Sequence, residues 1–156
     1  MSRRHLPPEW RLFCDGSYSP QTGVVATGLV WHRSDSFRWS GRGQRLTNLP
    51  LDIRPHCEAL AVLFALRLSA TLPPSERAVI HNDHAGLMGK LASGDSVCLP
   101  PPLSHDLVSA IDRLQDREVP LVFQWAGRHE AGIWIAHRYA KNYRLFGCAP
   151  VGLLSG

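Results

Sequence analysis

Three acidic residues stand where acids are costly. Asp15 follows the apolar run Leu12-Phe13-Cys14 and precedes Gly16 and Ser17. Glu58 lies at the start of the apolar stretch HCEALAVLFALRLSA (56–70), and Asp83 closes the apolar AVIHND (78–83). A carboxylate in such a setting must be paired, protonated or bound to a cation, because an isolated buried charge is very unfavourable. Residues at the carboxyl ends of strands and at helix starts converge on a ligand crevice in α/β sheets. Each like-charged pair brought to about 4 Å there costs roughly 4 kcal/mol at an effective dielectric near 20. A divalent cation removes this repulsion, and an all-oxygen ligand set at a partly open site suits Mg²⁺ or Mn²⁺. Taken singly, each acid has a plainer use: Asp15 as a turn residue, Glu58 as a favourable charge in a first helical turn, and Asp83 as the N-cap of HAGLMGKLA.

These acids need a sheet and helices to position them. Residues 10–15 read as a strand leading into the turn GSYSPQTG. VVATGLVWH (24–32) reads as a second strand, apolar on both faces, and SFRWSGRG (36–43) as a third, alternating Phe37 and Trp39 with polar neighbours. Short connections make these three an antiparallel meander. Pro55 and a run of strong helix formers predict a helix over 56–70, apolar nearly all round and so buried between layers. AVIHND is a fourth strand, followed by a short helix at 84–92, a Pro-rich loop SGDSVCLPPPL, a helix at 103–116, a fifth strand at 119–125 and a last helix at about 131–145. That helix carries an apolar stripe of Ile133, Ala136, Ala140 and Tyr143. Beside it runs a second stripe of Trp134, His137, Lys141 and Arg144, which suits either a phosphate-facing surface or a solvated face. The expected fold class is α/β: a mixed five-stranded sheet, three antiparallel strands then parallel ones, flanked by helices.

The chain has 156 residues, 44% hydrophobic and 19% charged, which fits a single globular domain over 1–156 and excludes a disordered chain. Its core is expected over about 10–145, with an apolar tail at 146–156. The longest apolar run, ALAVLFAL, is too short to span a membrane, and MSRRHLPPEW lacks the apolar stretch of a signal peptide. A cytoplasmic location is therefore expected. Cys14, Cys57, Cys98 and Cys148 have no CxxC spacing and read as reduced packing thiols rather than zinc ligands or a disulfide frame. The net charge of +4 points weakly to an anionic partner. Arg128, His129, His137, Arg138, Lys141 and Arg144 crowd the last third, whereas Arg42, Arg45 and Arg54 precede the first helix.

The segments CDGS, HCEALAVLFAL, IHNDHAGLMGKL and VFQWAGRHEAGIWIAHRYA, taken in order, resemble type 1 ribonuclease H over about residues 10–145. The resemblance implies an RNase H-like fold and a two-metal endoribonuclease that hydrolyses the RNA strand of RNA–DNA hybrids. It implies Asp15, Glu58 and Asp83 as ligands of Mg²⁺ or Mn²⁺. It also implies Gly16, Ser17, Asn48, Arg54 and His56 as groups near the RNA 2′-hydroxyls, with Arg128 and Lys141 as further nucleic-acid contacts. The family's fourth ligand is an Asp on the last helix, where this chain has His137. Nitrogen ligation there implies a weaker second metal site and a shift toward Mn²⁺. GRHEAGIW resembles the family's mobile loop, with His129 the candidate helper of product release and Arg128 next. The basic insertion that grips hybrid in the family has no counterpart in SGDSVCLPPPL. Two alternatives stay open: a catalytically weak or inactive RNase H-like module that binds nucleic acid or protein, and a structure-selective nuclease of the same fold.

Overall fold

A computed structural model describes residues 6–154 of the chain. Residues 1–5 and 155–156, which include most of the basic N-terminal run and the end of the apolar tail, lie outside the described residues. The strands are β1 (Glu9–Tyr18), β2 (Val25–Arg33), β3 (Ser40–Leu46), β4 (Arg77–Asn82) and β5 (Leu121–Trp125). The helices are α1 (Cys57–Ser69), preceded by a 3₁₀ turn at Arg54–His56, then α2 (Ala85–Ser93), α3 (Pro101–Asp116) and α4 (Ala131–Phe146). The five strands form one sheet in the order β3-β2-β1-β4-β5. The β1–β2 and β2–β3 pairs are antiparallel, and the β1–β4 and β4–β5 pairs are parallel. This is the mixed sheet expected from the sequence.

Alternation along β1 feeds two cores. Leu12 and Cys14 join Ile80 of β4, Val62 and Leu66 of α1, and Leu107 and Leu114 of α3 on one face. Phe13 joins Val30 of β2 with Ile133, Ala136 and Tyr139 of α4 on the other. Burying each such Leu or Ile contributes roughly 1.5–3 kcal/mol. Helix α1 lies between the sheet and α3, which explains why apolar residues occupy nearly its whole circumference.

Several boundaries differ from expectation: β4 ends at Asn82, so Asp83 follows it, β5 starts at Leu121 rather than 119, and others differ for identifiable physical reasons. Strand β1 continues through Asp15 to Tyr18, so Asp15 sits within the β1–β2 hairpin opposite Gly28 and not in a turn. The parallel β1–β4 pairing ends at Phe13–His81, however, so Asp15 projects beyond the end of β4. Strand β3 begins at Ser40, not at Ser36. A Ser36 N–H to Arg33 carbonyl turn leaves Phe37 fully exposed, while Trp39 packs from the loop onto His32 and Phe13. Helix α3 begins at Pro101, two residues before the expected start, because proline fits the first helical turn, where no amide partner is required.

One glycine lets α4 reach the sheet. A Cβ on Gly28 would stand 2.1 Å from the Ala136 carbonyl oxygen and 2.7 Å from the Ala140 nitrogen, both backbone atoms that cannot swing away. Gly28→Ala is therefore expected to lower unfolding stability by about 2–3 kcal/mol or more. Gly89→Ala, in open space within α2, should instead raise it by roughly 0.5–1 kcal/mol. Urea denaturation measures both, and an unchanged midpoint for Gly28→Ala would contradict the close crossing of α4 over β2.

Candidate active site

The overhang of β1 past β4, the start of α1 and the residue after β4 meet in one notch. Asp15, Glu58 and Asp83 each offer a carboxylate oxygen there, and these atoms lie within 4.8 Å of one another. Asp15 is 3% exposed. Glu58 reaches it because Gly16 has no side chain: a Cβ there would lie 2.4 Å from the Cys57 carbonyl carbon and oxygen, and 2.8 Å from the Glu58 nitrogen. Glu58 is fixed from two sides. Its Oε1 accepts the Gly16 amide at 3.2 Å, and its Oε2 accepts the Asn82 side-chain amide at 2.7 Å.

Asn82 was not singled out in the sequence, yet it braces the notch. It is fully buried, donates also to the Cys14 carbonyl at 3.0 Å, and accepts the His84 amide through Oδ1 at 2.8 Å. A buried amide must satisfy several polar atoms at once, and here it ties β4 to β1, α1 and the start of α2. Its sequence signal is a polar residue ending an apolar strand just before an acid. Asp83 is not the helix cap; His84 is, its Nδ1 accepting the Leu87 amide at 3.0 Å. The Asp83 carboxylate is left to face the notch, while its backbone carbonyl accepts the Trp125 indole N–H at 3.0 Å.

His137 joins the notch from α4. Its Nδ1 stands 2.8 Å from Asp15 Oδ2. The contact engages Nδ1 and leaves Nε2 as the ring nitrogen turned away from Asp15. Arg128 forms an ion pair with Asp83 at 3.7 Å. The Ser17 hydroxyl accepts Arg144 Nε at 2.7 Å, and His56 lines a cleft of about 330 Å³ with Glu58, His84 and Lys90. Asn48 is exposed beyond β3 with a positive φ of 63°. Arg54 donates through Nε to the Leu49 carbonyl at 2.9 Å, and its guanidinium lies against Gly23. His129 is exposed and packs over Gly127 without a bond to the carboxylates, and Lys141 is exposed one turn after His137.

The electrostatics of the notch favour a neutralising proton or cation. Burial, reinforced by the Asp15 charge and partly offset by the Asn82 hydrogen bond, pushes the Glu58 carboxyl up to about 9. Burial and Asp15 likewise raise Asp83, with Arg128 opposing. Three carboxylates with one exposed guanidinium and one imidazole beside them form an oxygen-rich set that fits Mg²⁺ or Mn²⁺. The raised Glu58 value has a measurable consequence without metal. The native state keeps a proton that the unfolded chain releases near 4.5, so stability falls as pH rises from about 4.5 to about 9. In metal-free protein, Glu58→Gln should melt above the wild type near pH 8, by roughly 2–4 °C for each kcal/mol of penalty removed. The gap should close at about pH 4, where the penalty is absent in both proteins. Equal melting curves at both pH values would show that Glu58 carries no such penalty.

No protein-family model and no curated protein matches the chain. Solved structures do. RNase H1 from the halophilic archaeon Halobacterium salinarum is 20% identical, with a TM-score of 0.64 over 90% of this chain and 99% of that one. The N-terminal RNase H domain of rv2228c from Mycobacterium tuberculosis is 16% identical, with a TM-score of 0.64 over 87% of this chain and 93% of that one. LC9-RNase H1, a type 1 RNase H with the type 2 active-site motif, is 11% identical, with a TM-score of 0.67 over 93% of this chain and 76% of that one. Strand order, helix placement and these likenesses agree: the chain has the fold of the type 1 ribonucleases H.

Proposed function

We propose that this protein is a divalent-metal-dependent endoribonuclease that hydrolyses the RNA strand of RNA–DNA hybrids. The observation that carries this reading is the meeting of the Asp15, Glu58 and Asp83 oxygens within 4.8 Å at one edge of this fold. LC11-RNase H1, 15% identical with a TM-score of 0.63, was solved in complex with an RNA/DNA hybrid, which supports the substrate class. Among the described residues no helix is long and apolar enough to cross a membrane. The four cysteines are free thiols, which suits the reducing cytoplasm.

In this reading Asp15, Glu58 and Asp83 hold the metal, and His137, which faces Asp15 through Nδ1, is assigned to a second, weaker site beside them. Bound divalent cations supply the activation of the attacking water and the neutralisation of charge on the leaving 3′ oxygen. The chain's own groups keep the ligands in place. The Gly16 amide and Asn82 stop Glu58 from rotating away, His137 orients Asp15 through the hydrogen bond at Nδ1, and the Trp125 indole anchors the Asp83 backbone. Hydrogen bonds that fix ligands in this way tune metal affinity strongly. Water adds to phosphorus and the P–O3′ bond breaks in line, leaving a 5′-phosphate and a 3′-hydroxyl. Ser17, Asn48, Arg54 and His56 are the groups assigned to the RNA strand and its 2′-hydroxyls, while the Gly16 amide, expected to join them, is engaged by Glu58. Arg128 and Lys141 are assigned to phosphates, and His129 to product release.

The His137–Asp15 bond favours a second reading, a weak or inactive module of the same fold, because no fourth carboxylate approaches the cluster among the described residues. End-labelled hybrid, duplex DNA, duplex RNA and junction DNA incubated with Mn²⁺ separate the readings. Cleavage of the hybrid alone, abolished in Asp15→Asn, is the expected result. Binding of hybrid without cleavage would support the module, and cleavage of junctions would support a structure-selective nuclease. Nitrogen ligation by His137 also predicts faster hydrolysis with Mn²⁺ than with Mg²⁺, and about tenfold or more recovery of Mg²⁺-dependent activity in His137→Asp. Equal rates with the two metals, together with an inert His137→Asp variant, would remove His137 from the metal site.

A further inference from the structure

The stripe on α4 is not used up by the metal site. His137, at its middle, touches Asp15 at 2.8 Å. Arg144 lies seven residues further, about 10 Å along the axis, and donates to the Ser17 hydroxyl at 2.7 Å, beside the same end of β1. In the other direction, Trp134 stands one turn before His137 and is 49% exposed, a large apolar ring turned to water. The Arg138 guanidinium lies over the ring, 5.9 Å from its centroid. Helix α4 contains no acidic residue. Among the described residues, no ion pair holds Arg138, Lys141 or Arg144. An unpaired cationic stripe with an open indole, running alongside a cluster of carboxylates, matches a polyanion that also presents flat apolar rings. Single-stranded nucleic acid has that chemistry: phosphates for the cations and bases for the tryptophan.

The geometry points to α4 as a nucleic-acid track in which Trp134 stacks an unpaired base while Arg138, Lys141 and Arg144 hold successive phosphates of the strand. This rests on the nuclease reading for the position of the scissile phosphate at Asp15, Glu58 and Asp83. It adds a preference: a hybrid with a single-stranded extension is bound better than a blunt one. The track would also replace, from a different side of the fold, the grip that a basic insertion between α2 and α3 would supply; the 94–100 link there contains no Lys or Arg.

Anisotropy of a labelled RNA–DNA hybrid, blunt or with single-stranded RNA at both ends and with no divalent metal present, tests the track without cleavage. The extension should tighten wild-type binding about 5- to 150-fold. Trp134→Ala should abolish that gain and Trp134→Phe retain most of it. Lys141→Ala and Arg144→Ala should each reduce the slope of log affinity against log salt by about one. Equal binding of blunt and extended hybrid, variants indistinguishable from wild type, or displacement by polyglutamate as readily as by nucleic acid would overturn the track. Variant-sensitive binding by a protein that cuts nothing would leave the track standing and remove the hydrolytic reading. Cleavage with no effect of the variants would do the reverse.

Discussion

Repulsion among three carboxylates in a partly buried notch is the constraint around which this molecule is arranged. Left alone, Asp15, Glu58 and Asp83 would either spread apart or take up protons. Burial first, and the Asp15 charge second, push the Glu58 carboxyl up to about 9 and raise that of Asp83. The fold prevents the first response. Glu58 is held by the Gly16 amide and by Asn82, Asp15 by the β1–β2 hairpin and His137, and Asp83 by the tie from Trp125 to its backbone carbonyl. What the side chains cannot relieve by moving, protons or a cation would relieve by charge. The two apolar cores on either side of the sheet hold the strands and helices that carry these residues.

Close backbone approach makes the arrangement possible. Gly16 admits the first turn of α1 against β1, and Gly28, its diagonal neighbour on β2, admits α4. The acids and His137 thus come from β1, α1, the end of β4 and α4, four elements far apart in sequence. The offset between β1 and β4 completes the notch. Their pairing stops at Phe13–His81, leaving Asp15 projecting toward Glu58 and Asp83.

Much of this was legible in the residues. The apolar circumference of the helix expected over 56–70 and the strands around Asp15 and Asp83 follow from burial, which a sequence records most clearly; the joining of the three acids into one set came from the resemblance of their segments, in order, to type 1 ribonuclease H. Strand β3 was misplaced because Phe37 and Trp39 carry strand-like alternation, whereas the paired segment is the Gly-rich run from Ser40. There Gly41 and Gly43 leave room for Tyr139 and Tyr143 of α4, a reason that exists only in three dimensions. Asn82 was hidden beside Asp83, and its role depends on Glu58, 24 positions away. His84 displaced Asp83 as helix cap, a one-residue difference that propensity does not resolve. The second stripe of α4 was visible as a pattern, but its lack of acidic partners and its contact with Ser17 required coordinates.

Anomalous diffraction from a crystal of this protein equilibrated with Mn²⁺ tests the central claim most directly. A peak bonded to carboxylate oxygens of Asp15, Glu58 and Asp83 together, absent from Asp83→Asn crystals, is the predicted result. A notch that stays free of manganese at millimolar concentration, with the three carboxylates still side by side, would contradict it.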